Sequence, residues 1–530
     1  MIRNMRIGAG FVVLAILSGC GGAGGGTMDL LLTGGLVVDG AGNPWVQRDL
    51  AIRGDKIAWI GFAAEDAVSA RDTVDVTGLL VTPGFIDMHS HAELETDHGK
   101  DALTFLYQGI TTAVLGVDGG GDNNIDNIFA GYTATGIGIN ALRFVGHGAA
   151  RGTILGVADR APTAEEMDLM KAYIRQGMEQ GAFGMSSGLF YIPGFFAETD
   201  EVVELNRVAA EYGGIYDTHD RDLGAVYQGI GYDASVREAI EIGERAGTPV
   251  IFSHFNPQGA GNYGRASVGA RLIEEARARG VDVMAAQHVY TATQSSLRAY
   301  AMPRWASVGG PEEMVVRFDD PETRARIDAE SMEMLAIRGG AEKIFFIDER
   351  PDLNGRTLQQ VAEEWGLPVS ETVRRILSVG NAGVMNLELY DVENTRYLAQ
   401  QEWMMTCTDG RTPPASGEGM VHPRPYGAFT KKLRQFVFDE EIISLPFAVR
   451  SMTGLAAQFL NLQNRGLLRE GFYADIAVFD MEKIRDRATF ENPHQYSEGT
   501  VHVLVNGQFA FREGQPTGVL PGRPIRRGER

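Results

Sequence analysis

Two histidines separated by one residue, His89 and His91, follow a short apolar run that begins at Leu79. In a β-strand, side chains two residues apart point to the same face, so both imidazoles converge on one point. Neutral imidazole is a good ligand for divalent transition metals. The Pro83-Gly84 dipeptide before the pair favours a turn into a short buried strand rather than a helix. The pair therefore predicts one wall of a metal site.

The middle of the chain alternates short apolar segments with amphipathic helical stretches. Eight segments have the length and composition of buried strands: Leu80 to Asp87, Thr111 to Leu115, Leu142 to Gly146, Ala182 to Met185, Ile215 to Thr218, Val250 to Ser253, Val281 to Ala285 and Trp403 to Thr406. Eight parallel strands joined by helices predict an α/β fold of the (β/α)8, TIM-like barrel type.

Metal-binding residue types recur where these strands end. Asp118 follows the second strand, His219 the fifth, His254 the sixth and Asp409 the eighth. In a barrel these ends meet above the core, where the active sites of this fold lie. Nitrogen and carboxylate ligands together suit Zn²⁺, with other divalent metals possible, in a catalytic site that keeps a position open for water. The predicted metal ligands are His89, His91, Asp118, His219, His254 and Asp409.

This pattern resembles the amidohydrolase superfamily of metal-dependent hydrolases. Five further segments resemble its N-acyl-D-amino-acid deacylases, the D-aminoacylase family: Gly184 to Gly194 (GMSSGLFYIPG), Asp409-Gly410, His422-Pro423-Arg424, Gly466 to Gly471 (GLLREG) and Phe490 to His494 (FENPH). The similarity extends from about Asp29 to Gly522. It implies a zinc-dependent hydrolase that cleaves the amide bond of N-acyl-D-amino acids or similar small N-acyl amides. Such an enzyme acts on linear C–N bonds other than peptide bonds.

The resemblance also suggests roles for single residues. A metal-activated water would attack the acyl carbon, and Asp409 would act as general acid/base by passing the proton to the departing amine. Tyr191 would help to hold the oxyanion. Arg424 matches the family's carboxylate-binding arginine, and its planar guanidinium suits the α-carboxylate of a substrate. A surface arginine paired with a neighbouring acid is the alternative for Arg424.

The chain departs from the family at three predicted site positions. Asp118 stands where the family usually has a cysteine, so either one or two zinc ions could be bound; Asp118 could also be only a turn residue, since Asp-Gly favours tight turns. Asn256 stands where the family has a lysine near the substrate carboxylate, and His288 replaces a tyrosine. We predict that Asn256 and His288 contact substrate, with simple packing as the alternative for His288.

The two ends of the chain are rich in β-strand patterns, which predicts a small β-sandwich domain built from both termini. The expected bounds are 28–82 and 446–524 for this domain and 83–445 for the barrel, with an insertion at about 296–400. A long insertion at this face of a barrel shapes the substrate cleft or forms an interface. The sequence leaves the oligomeric state open.

The N-terminus has the form of a bacterial lipoprotein signal peptide. Arg3 and Arg6 precede an apolar run that ends in Leu17-Ser18-Gly19-Cys20. Residues 1–19 would be removed, Cys20 would carry the lipid, and the glycine-rich residues 20–27 would form a flexible tether. The expected location is outside the cytoplasm on a bacterial membrane, on the periplasmic side in a Gram-negative cell. The membrane would be contacted only through this lipid.

The formal net charge of -21 argues against nucleic acid as a partner, because a phosphate backbone would be repelled. A small-molecule substrate is expected instead. Two alternative functions remain from the sequence. One is another amidohydrolase activity, on cyclic amides or dipeptides. The other is a lipid-anchored binding protein with reduced catalysis.

Overall fold

The computed structural model describes residues 27–413 and 416–528. The predicted signal peptide and the predicted lipid attachment site at Cys20 lie outside the described residues. Within the described ranges, no helix has both the length and the apolar character needed to cross a bilayer.

The described residues form twenty-one strands. In chain order they are β1 (Met28–Val37), β2 (Val46–Arg53), β3 (Lys56–Gly61), β4 (Ala70–Asp75), β5 (Leu80–Pro83), β6 (Phe85–Asp87), β7 (Ile110–Leu115), β8 (Asn140–Arg143), β9 (Val145–Gly146), β10 (Gly184–Gly188), β11 (Ile215–His219), β12 (Val250–His254), β13 (Val283–Gln287), β14 (Thr293–Ser296), β15 (Ile344–Phe346), β16 (Gly383–Asn386), β17 (Met404–Thr406), β18 (Ile476–Phe479), β19 (Thr500–Val505), β20 (Gln508–Arg512) and β21 (Gln515–Pro516).

Seventeen α-helices connect or flank these strands in the described ranges. They are α1 (Ala63–Asp66), α2 (Leu103–Leu106), α3 (Ile125–Thr135), α4 (His147–Leu155), α5 (Ala164–Glu179), α6 (Thr199–Glu211), α7 (Tyr232–Ala246), α8 (Ala266–Ala278), α9 (Leu297–Ala301), α10 (Pro311–Asp319), α11 (Pro321–Ile337), α12 (Leu358–Trp365), α13 (Val369–Val379), α14 (Val392–Ala399), α15 (Arg424–Lys432), α16 (Leu445–Met452) and α17 (Gly454–Phe459).

The central domain is a closed parallel barrel. Its eight positions are taken by β6, β7, the interrupted pair β8 and β9, β10, β11, β12, β13 and β17, and every neighbouring pair runs parallel. Strands β7 and β10 to β13 are buried along their whole length, as expected for a sheet covered by helices on its outer face. The barrel closes where the Met88 amide donates to the Thr406 carbonyl at 3.3 Å. The predicted (β/α)8 architecture is confirmed.

The first predicted strand is in fact two strands. β5 belongs to the terminal sheet, where it pairs with β1 and β18, whereas β6 pairs with β7 in the barrel. Gly84 separates them, and a Cβ at this position would lie 2.2 Å from Thr111 Oγ1. The chain can pass from one domain to the other here because glycine permits this close approach.

The terminal domain is built from both ends of the chain, as predicted. Its nine strands, β1 to β5 and β18 to β21, form one hydrogen-bonded sheet around a separate apolar cluster. The C-terminal part of this domain starts later than expected. Helix α16 contacts the barrel strands β6 and β17, so the chain re-enters the terminal sheet at Ile476 and not near residue 446.

An insertion between β13 and β17 forms a third unit. It contains the antiparallel sheet β14-β16-β15 and the helices α9 to α14. Much of it packs around its own apolar cluster, which includes Phe318, Ile344, Leu358 and Val373. Phe190, which follows barrel strand β10, joins this cluster and so ties the insertion to the mouth of the barrel.

Lys432 is buried in the wall of the barrel without a carboxylate among its hydrogen-bond acceptors. Its ammonium group donates to Thr406 Oγ1 at 2.8 Å and to Ser451 Oγ at 2.9 Å. Burial lowers the pKa of Lys432 to about 7. The unfolded chain binds a proton here up to about pH 10.5, whereas the folded chain loses it near pH 7.

We expect the substitution Lys432→Met to weaken the pH dependence of stability. Between pH 7 and pH 10 the unfolded wild type binds more protons at this position than the folded one does, so its free energy of unfolding rises with pH. The slope from this one group is at most about 1.4 kcal/mol per pH unit. Urea unfolding of both proteins at several pH values measures it. Equal slopes in wild type and variant would contradict a lowered pKa for Lys432 in the folded protein.

Candidate metal centre and active site

The two predicted carboxylate ligands sit in matching turns at the mouth of the barrel. Asp118 has φ of 55° and Asp409 has φ of 48°, a left-handed conformation that aspartate tolerates better than most residues. Each is followed by a glycine. A Cβ on Gly119 would lie 2.8 Å from the Gly188 amide nitrogen, and one on Gly410 would lie 2.7 Å from Pro425 Cβ. These Asp-Gly turns therefore bring both carboxylates close to the histidines.

The HxH pair lies between the two carboxylates. His89 Nε2 is 3.4 Å from Asp118 Oδ1 and 3.7 Å from Asp409 Oδ1. His91 Nε2 is 3.5 Å from Asp118 Oδ2 and 3.3 Å from Asp409 Oδ1. Asp118 is thus both a turn residue and a member of the histidine cluster, so the two interpretations of this residue are compatible.

The remaining histidines complete the cluster. His219 Nδ1 is 3.6 Å from Asp118 Oδ1, and it lies 2.8 Å from His254 Nε2. Two sets of ligand atoms, which share His89, lie close enough together to hold an ion: His89, Asp118 and His254, or His89, His91 and Asp409. The structure therefore brings together all six predicted metal ligands.

Unsatisfied polar atoms show that this ligand set fits a cation. Both ring nitrogens of His89, Asp118 Oδ1 and His254 Nδ1 are buried without a hydrogen-bond partner. Buried polar atoms normally have partners, and imidazole and carboxylate atoms left without them in one cluster are suitable ligands for zinc. The residues present fit Zn²⁺ well.

The electrostatics of the cluster also favour a bound cation. Burial alone would lower the pKa of His89, but the Asp118 and Asp409 carboxylates raise it to about 9. Burial lowers the pKa of His254 to about 3, so this imidazole is neutral and able to bind a metal. The carboxylates thus favour a positive charge beside them, which either a proton or a metal ion can supply.

Arg424 contacts Asp409, which the sequence did not predict. Its Nη1 donates a short hydrogen bond to Asp409 Oδ2, while Oδ1 of the same carboxylate faces His89 and His91. Burial would raise the pKa of Asp409, but Arg424 holds it well below its usual range. Nε of Arg424 is buried without a partner and remains as a donor for a substrate. Arg424, which was predicted to bind the substrate carboxylate, therefore also binds Asp409, the proposed acid/base residue.

His288 lies beside this ion pair, and Asn256 does not. His288 Nε2 is 3.4 Å from Arg424 Nη1 and 3.9 Å from Asp409 Oδ2. Burial and the nearby Arg424 lower its pKa to about 3, so it is a neutral imidazole. The Asn256 amide donates to Thr395 Oγ1 at 2.8 Å, on helix α14. Asn256 therefore supports the insertion through its amide nitrogen, while its Oδ1 is buried without a partner, and its contact with substrate stays a prediction.

The pocket above the cluster is narrow. Its volume is about 20 Å³, roughly the space of one water molecule. Tyr191 is in its wall as predicted, with its ring centre 4.6 Å from that of His219. Other walls come from residues that the strand-end rule could not find: Phe190, Leu223, Gln258, Thr293, Gln294, Tyr300 and Tyr390. These side chains therefore line the space directly beside the predicted metal ligands His219, His254 and Asp409.

We expect Asp118→Asn to lower the zinc content or zinc affinity of the purified protein, because an amide is a weaker ligand than a carboxylate. Metal analysis after dialysis against defined zinc concentrations measures this. Asp122→Asn is the matched control, since Asp122 is an exposed residue of the same loop. Unchanged zinc binding in Asp118→Asn would leave Asp118 with the role of a turn residue alone.

The chain is similar to known amidohydrolases. The amidohydrolase family profile matches residues 420–511. The D-aminoacylase of Alcaligenes xylosoxydans xylosoxydans is 32% identical over 523 residues, which are 94% of this chain and 98% of that protein. A crystal structure of N-acyl-D-glutamate deacylase from Bordetella bronchiseptica, complexed with zinc and a phosphonate inhibitor, has 29% identity and a TM-score of 0.80 and covers 94% of this chain and 100% of that one. A D-aminoacylase structure described as having a binuclear metal centre matches with the same identity, TM-score and coverage.

Proposed function

The chain belongs to the D-aminoacylase family of amidohydrolases, and we propose that it hydrolyses the amide bond of N-acyl-D-amino acids or closely similar small N-acyl amides. The observation that carries this proposal is Asp409, whose carboxylate has one oxygen among the metal-binding imidazoles and the other on Arg424. This arrangement supplies a metal site and a proton acceptor at one point.

The cofactor that fits the site is zinc, held by His89, His91, Asp118, His219, His254 and Asp409 as one or two ions. When bound, zinc polarises the acyl carbonyl and lowers the pKa of a water molecule. The chain's own residues then govern the proton transfers and the stabilisation of charge.

Asp409 accepts the proton from the attacking water and delivers it to the departing amine, which leaves as a neutral or protonated product. Arg424 positions the carboxylate by holding Oδ2, and it keeps the group ionised so that it acts first as a base. Burial raises the pKa of Tyr191 well above its usual value, so its hydroxyl stays protonated and can donate to the developing oxyanion.

We expect purified, zinc-loaded protein to release free amine from a panel of N-acyl-D-amino acids and not from the L enantiomers. Asp409→Asn should lower kcat roughly 10²- to 10⁴-fold, because the amide cannot accept the proton. Asp439→Asn, at an exposed position, is the control. Hydrolysis of cyclic amides or dipeptides, without turnover of the D panel, would place the enzyme elsewhere among the amidohydrolases. If the wild type hydrolyses none of these substrates, the alternative of a lipid-anchored binding protein with reduced catalysis is favoured.

We also propose that the protein is exported and held on a membrane by a lipid on Cys20. The support is the N-terminal sequence, in which Arg3 and Arg6 precede an apolar run that ends at Cys20. In a bacterial host, wild type should fractionate with membranes and Cys20→Ser should not, while the purified enzymes keep equal activity. Membrane association that is unchanged in Cys20→Ser would exclude this anchor.

A further inference from the structure

A cleft at the base of the barrel, the end at which its parallel strands begin, is lined by arginines. It has a volume of about 920 Å³ and lies against residues that precede or begin barrel strands, among them Phe183, Ile215 and Pro249. Its charged lining residues are Arg465, Arg523, Arg526 and Arg527, and none of the described carboxylates lines it. This is unusual for a chain with 69 acidic and 48 basic side chains. The space between these four arginines is called the basal cleft.

Arg527 has no carboxylate partner among the described residues. Its Nε donates to the Ala182 carbonyl at 3.1 Å, and its Nη1 donates a short hydrogen bond to the Tyr212 carbonyl. Its guanidinium also lies 5.8 Å from the centre of the Tyr212 ring. Because carbonyl groups and a neutral ring do not cancel its charge, Arg527 remains a cation in the basal cleft.

Arg523 and Arg526 form ion pairs at the rim of the cleft, where solvent reaches both partners. Arg523 Nη1 is 2.8 Å from Asp55 Oδ2, with side chains 47% and 33% exposed, and Arg526 Nη1 is 2.6 Å from Asp126 Oδ1, with side chains 32% and 59% exposed. Such exposed pairs contribute little to stability. Either guanidinium can therefore exchange its carboxylate for a phosphate oxygen, which accepts the same kind of charge-assisted hydrogen bond.

Arg465 differs from the other three arginines. It is buried and forms a short ion pair with the buried Asp475. Its Nη2 also donates to Asn506 Oδ1 at 2.8 Å. Arg465 therefore supports the wall of the cleft, and the charge that faces an outside ligand comes from Arg523, Arg526 and Arg527.

The chain enters the terminal sheet beside this cleft. Asp29 accepts from the Gly54 amide at 2.7 Å, and the next residue, Asp55, pairs with Arg523. Residues 20–27 separate Met28 from the proposed lipid attachment site, and an eight-residue segment spans at most about 29 Å even when fully extended. A bilayer that holds the lipid on Cys20 therefore lies within reach of the basal cleft.

The metal site opens at the opposite end of the barrel. His219 and His254 are the last residues of β11 and β12. Ile215, the first residue of β11, and Pro249, which precedes β12, line the basal cleft. Both strands thus have the metal site at one end and the arginines at the other.

The clefts at the two ends of the barrel differ in the sign of their charge. At the mouth, a cleft of about 820 Å³ shares Gln294 with the metal pocket. Its charged lining is mainly acidic, with Glu93, Asp348, Glu349 and Glu418 against Arg411 and His98. An anionic surface therefore attracts the base of the barrel and repels its mouth.

We propose that the basal cleft binds the anionic phospholipid headgroups of the bilayer that holds Cys20, so that the metal site faces the aqueous phase. The inference rests on the proposed lipid anchor and adds a contact of the folded protein to it, whereas the sequence predicted contact through the lipid alone. Substrates then reach the metal site from solution and not from the bilayer.

Tethering allows a weak contact to be occupied. A short linker keeps the cleft at a high effective concentration near the headgroups. Each arginine near an anionic leaflet strengthens binding about fivefold. The net charge of -21 opposes the approach of any other face. Since charges in solution are screened beyond about 8 Å, the contact requires the arginines themselves to meet the headgroups.

The first experiment measures vesicle binding without the lipid. The probe is the mature chain from residue 20 with Cys20→Ser, mixed with vesicles of phosphatidylcholine alone or with added phosphatidylglycerol. We expect roughly 10-fold or greater partition into the anionic vesicles at low salt, lost at high salt. Equal partition into both vesicles, or none into either, would overturn the proposal. Binding of inorganic phosphate without vesicle binding would also overturn it, since the cleft would then take a free anion.

The second experiment removes the charge. Arg527→Gln should lower partition into anionic vesicles about fivefold, and Arg527→Lys, which keeps the charge, should retain most of it. Thermal unfolding checks that both variants are folded. Arg375→Gln is the matched control, since Arg375 is an exposed arginine that stacks on Trp365 in the insertion. Equal losses in Arg527→Gln and Arg527→Lys, or a similar loss in Arg375→Gln, would overturn the assignment to the basal cleft.

The third experiment tests the orientation of the lipidated protein. A dye is attached at Gln463→Cys, an exposed position of the basal cleft, or at Glu418→Cys, an exposed position of the mouth cleft. The remaining cysteine of the folded part, Cys407, is buried. In vesicles that contain phosphatidylglycerol and a headgroup-attached quencher, we expect stronger quenching at position 463 than at position 418. Equal or reversed quenching would overturn the proposal.

The anchor and the basal contact fail in different ways. If the unlipidated chain does not bind anionic vesicles while wild type still fractionates with membranes through Cys20, the basal contact is overturned and the anchor is kept. If Cys20 carries no lipid while the unlipidated chain binds anionic vesicles, the anchor is overturned and the basal cleft is itself the membrane attachment.

Discussion

The active site depends on the contact between the first and last strands of the barrel. His89 and His91 come from one side of this seam and Asp409 from the other, more than 300 residues later in the chain. The Asp409 amide donates to the His89 carbonyl at 2.9 Å, and the His91 amide donates to the Gly410 carbonyl at 2.9 Å. The Asp87 carboxylate adds a side-chain link by accepting from the Thr408 amide at 2.8 Å. Without this closure the imidazoles and the Asp409 carboxylate would not meet.

Charge balance in the barrel mouth follows from that closure. The half-buried Asp118 and the buried Asp409 lie beside four histidines, and Arg424 compensates one oxygen of the Asp409 carboxylate. Burial keeps the His254 imidazole neutral, as its low pKa shows. Burial therefore lowers the pKa of one imidazole, while the nearby carboxylates raise the pKa of its neighbour. In this way one small site can contain both metal ligands and a proton acceptor.

The strand-end residues could be predicted from the sequence because a barrel imposes a simple positional rule. Short buried strands were recognisable, and polar residues directly after them had to lie at one face of the barrel. The rule says nothing about pairings across the site, so it could not reveal that Arg424 contacts Asp409 or that Asn256 turns to Thr395. It also treated Leu80 to Asp87 as one strand, because an apolar run does not show where a chain passes between two domains.

The insertion was the least predictable part of the site. Helical patterns marked its elements, but they do not indicate which helix end approaches the metal. Tyr300 and Tyr390 reach the pocket, and Arg338 packs behind it, only because the insertion folds as a unit with its own apolar cluster. These positions depend on tertiary packing between distant segments, for which a single sequence carries no periodic signal.

The composite terminal sheet sets the order in which this protein can mature. β5 has β18 as a neighbour, with Thr82 opposite Ala477, so one of its edges stays unpaired until the end of the chain is made. At roughly 5–20 residues per second, synthesis of the intervening segment takes on the order of 20–80 s. Throughout that interval the open edge of β5 can pair wrongly, and the open edge of the first barrel strand can do so until Thr406 is made. Each domain needs strands from late in the chain: β17 completes the barrel, and β18 to β21 complete the terminal sheet. The two domains are therefore finished almost together, near the end of synthesis.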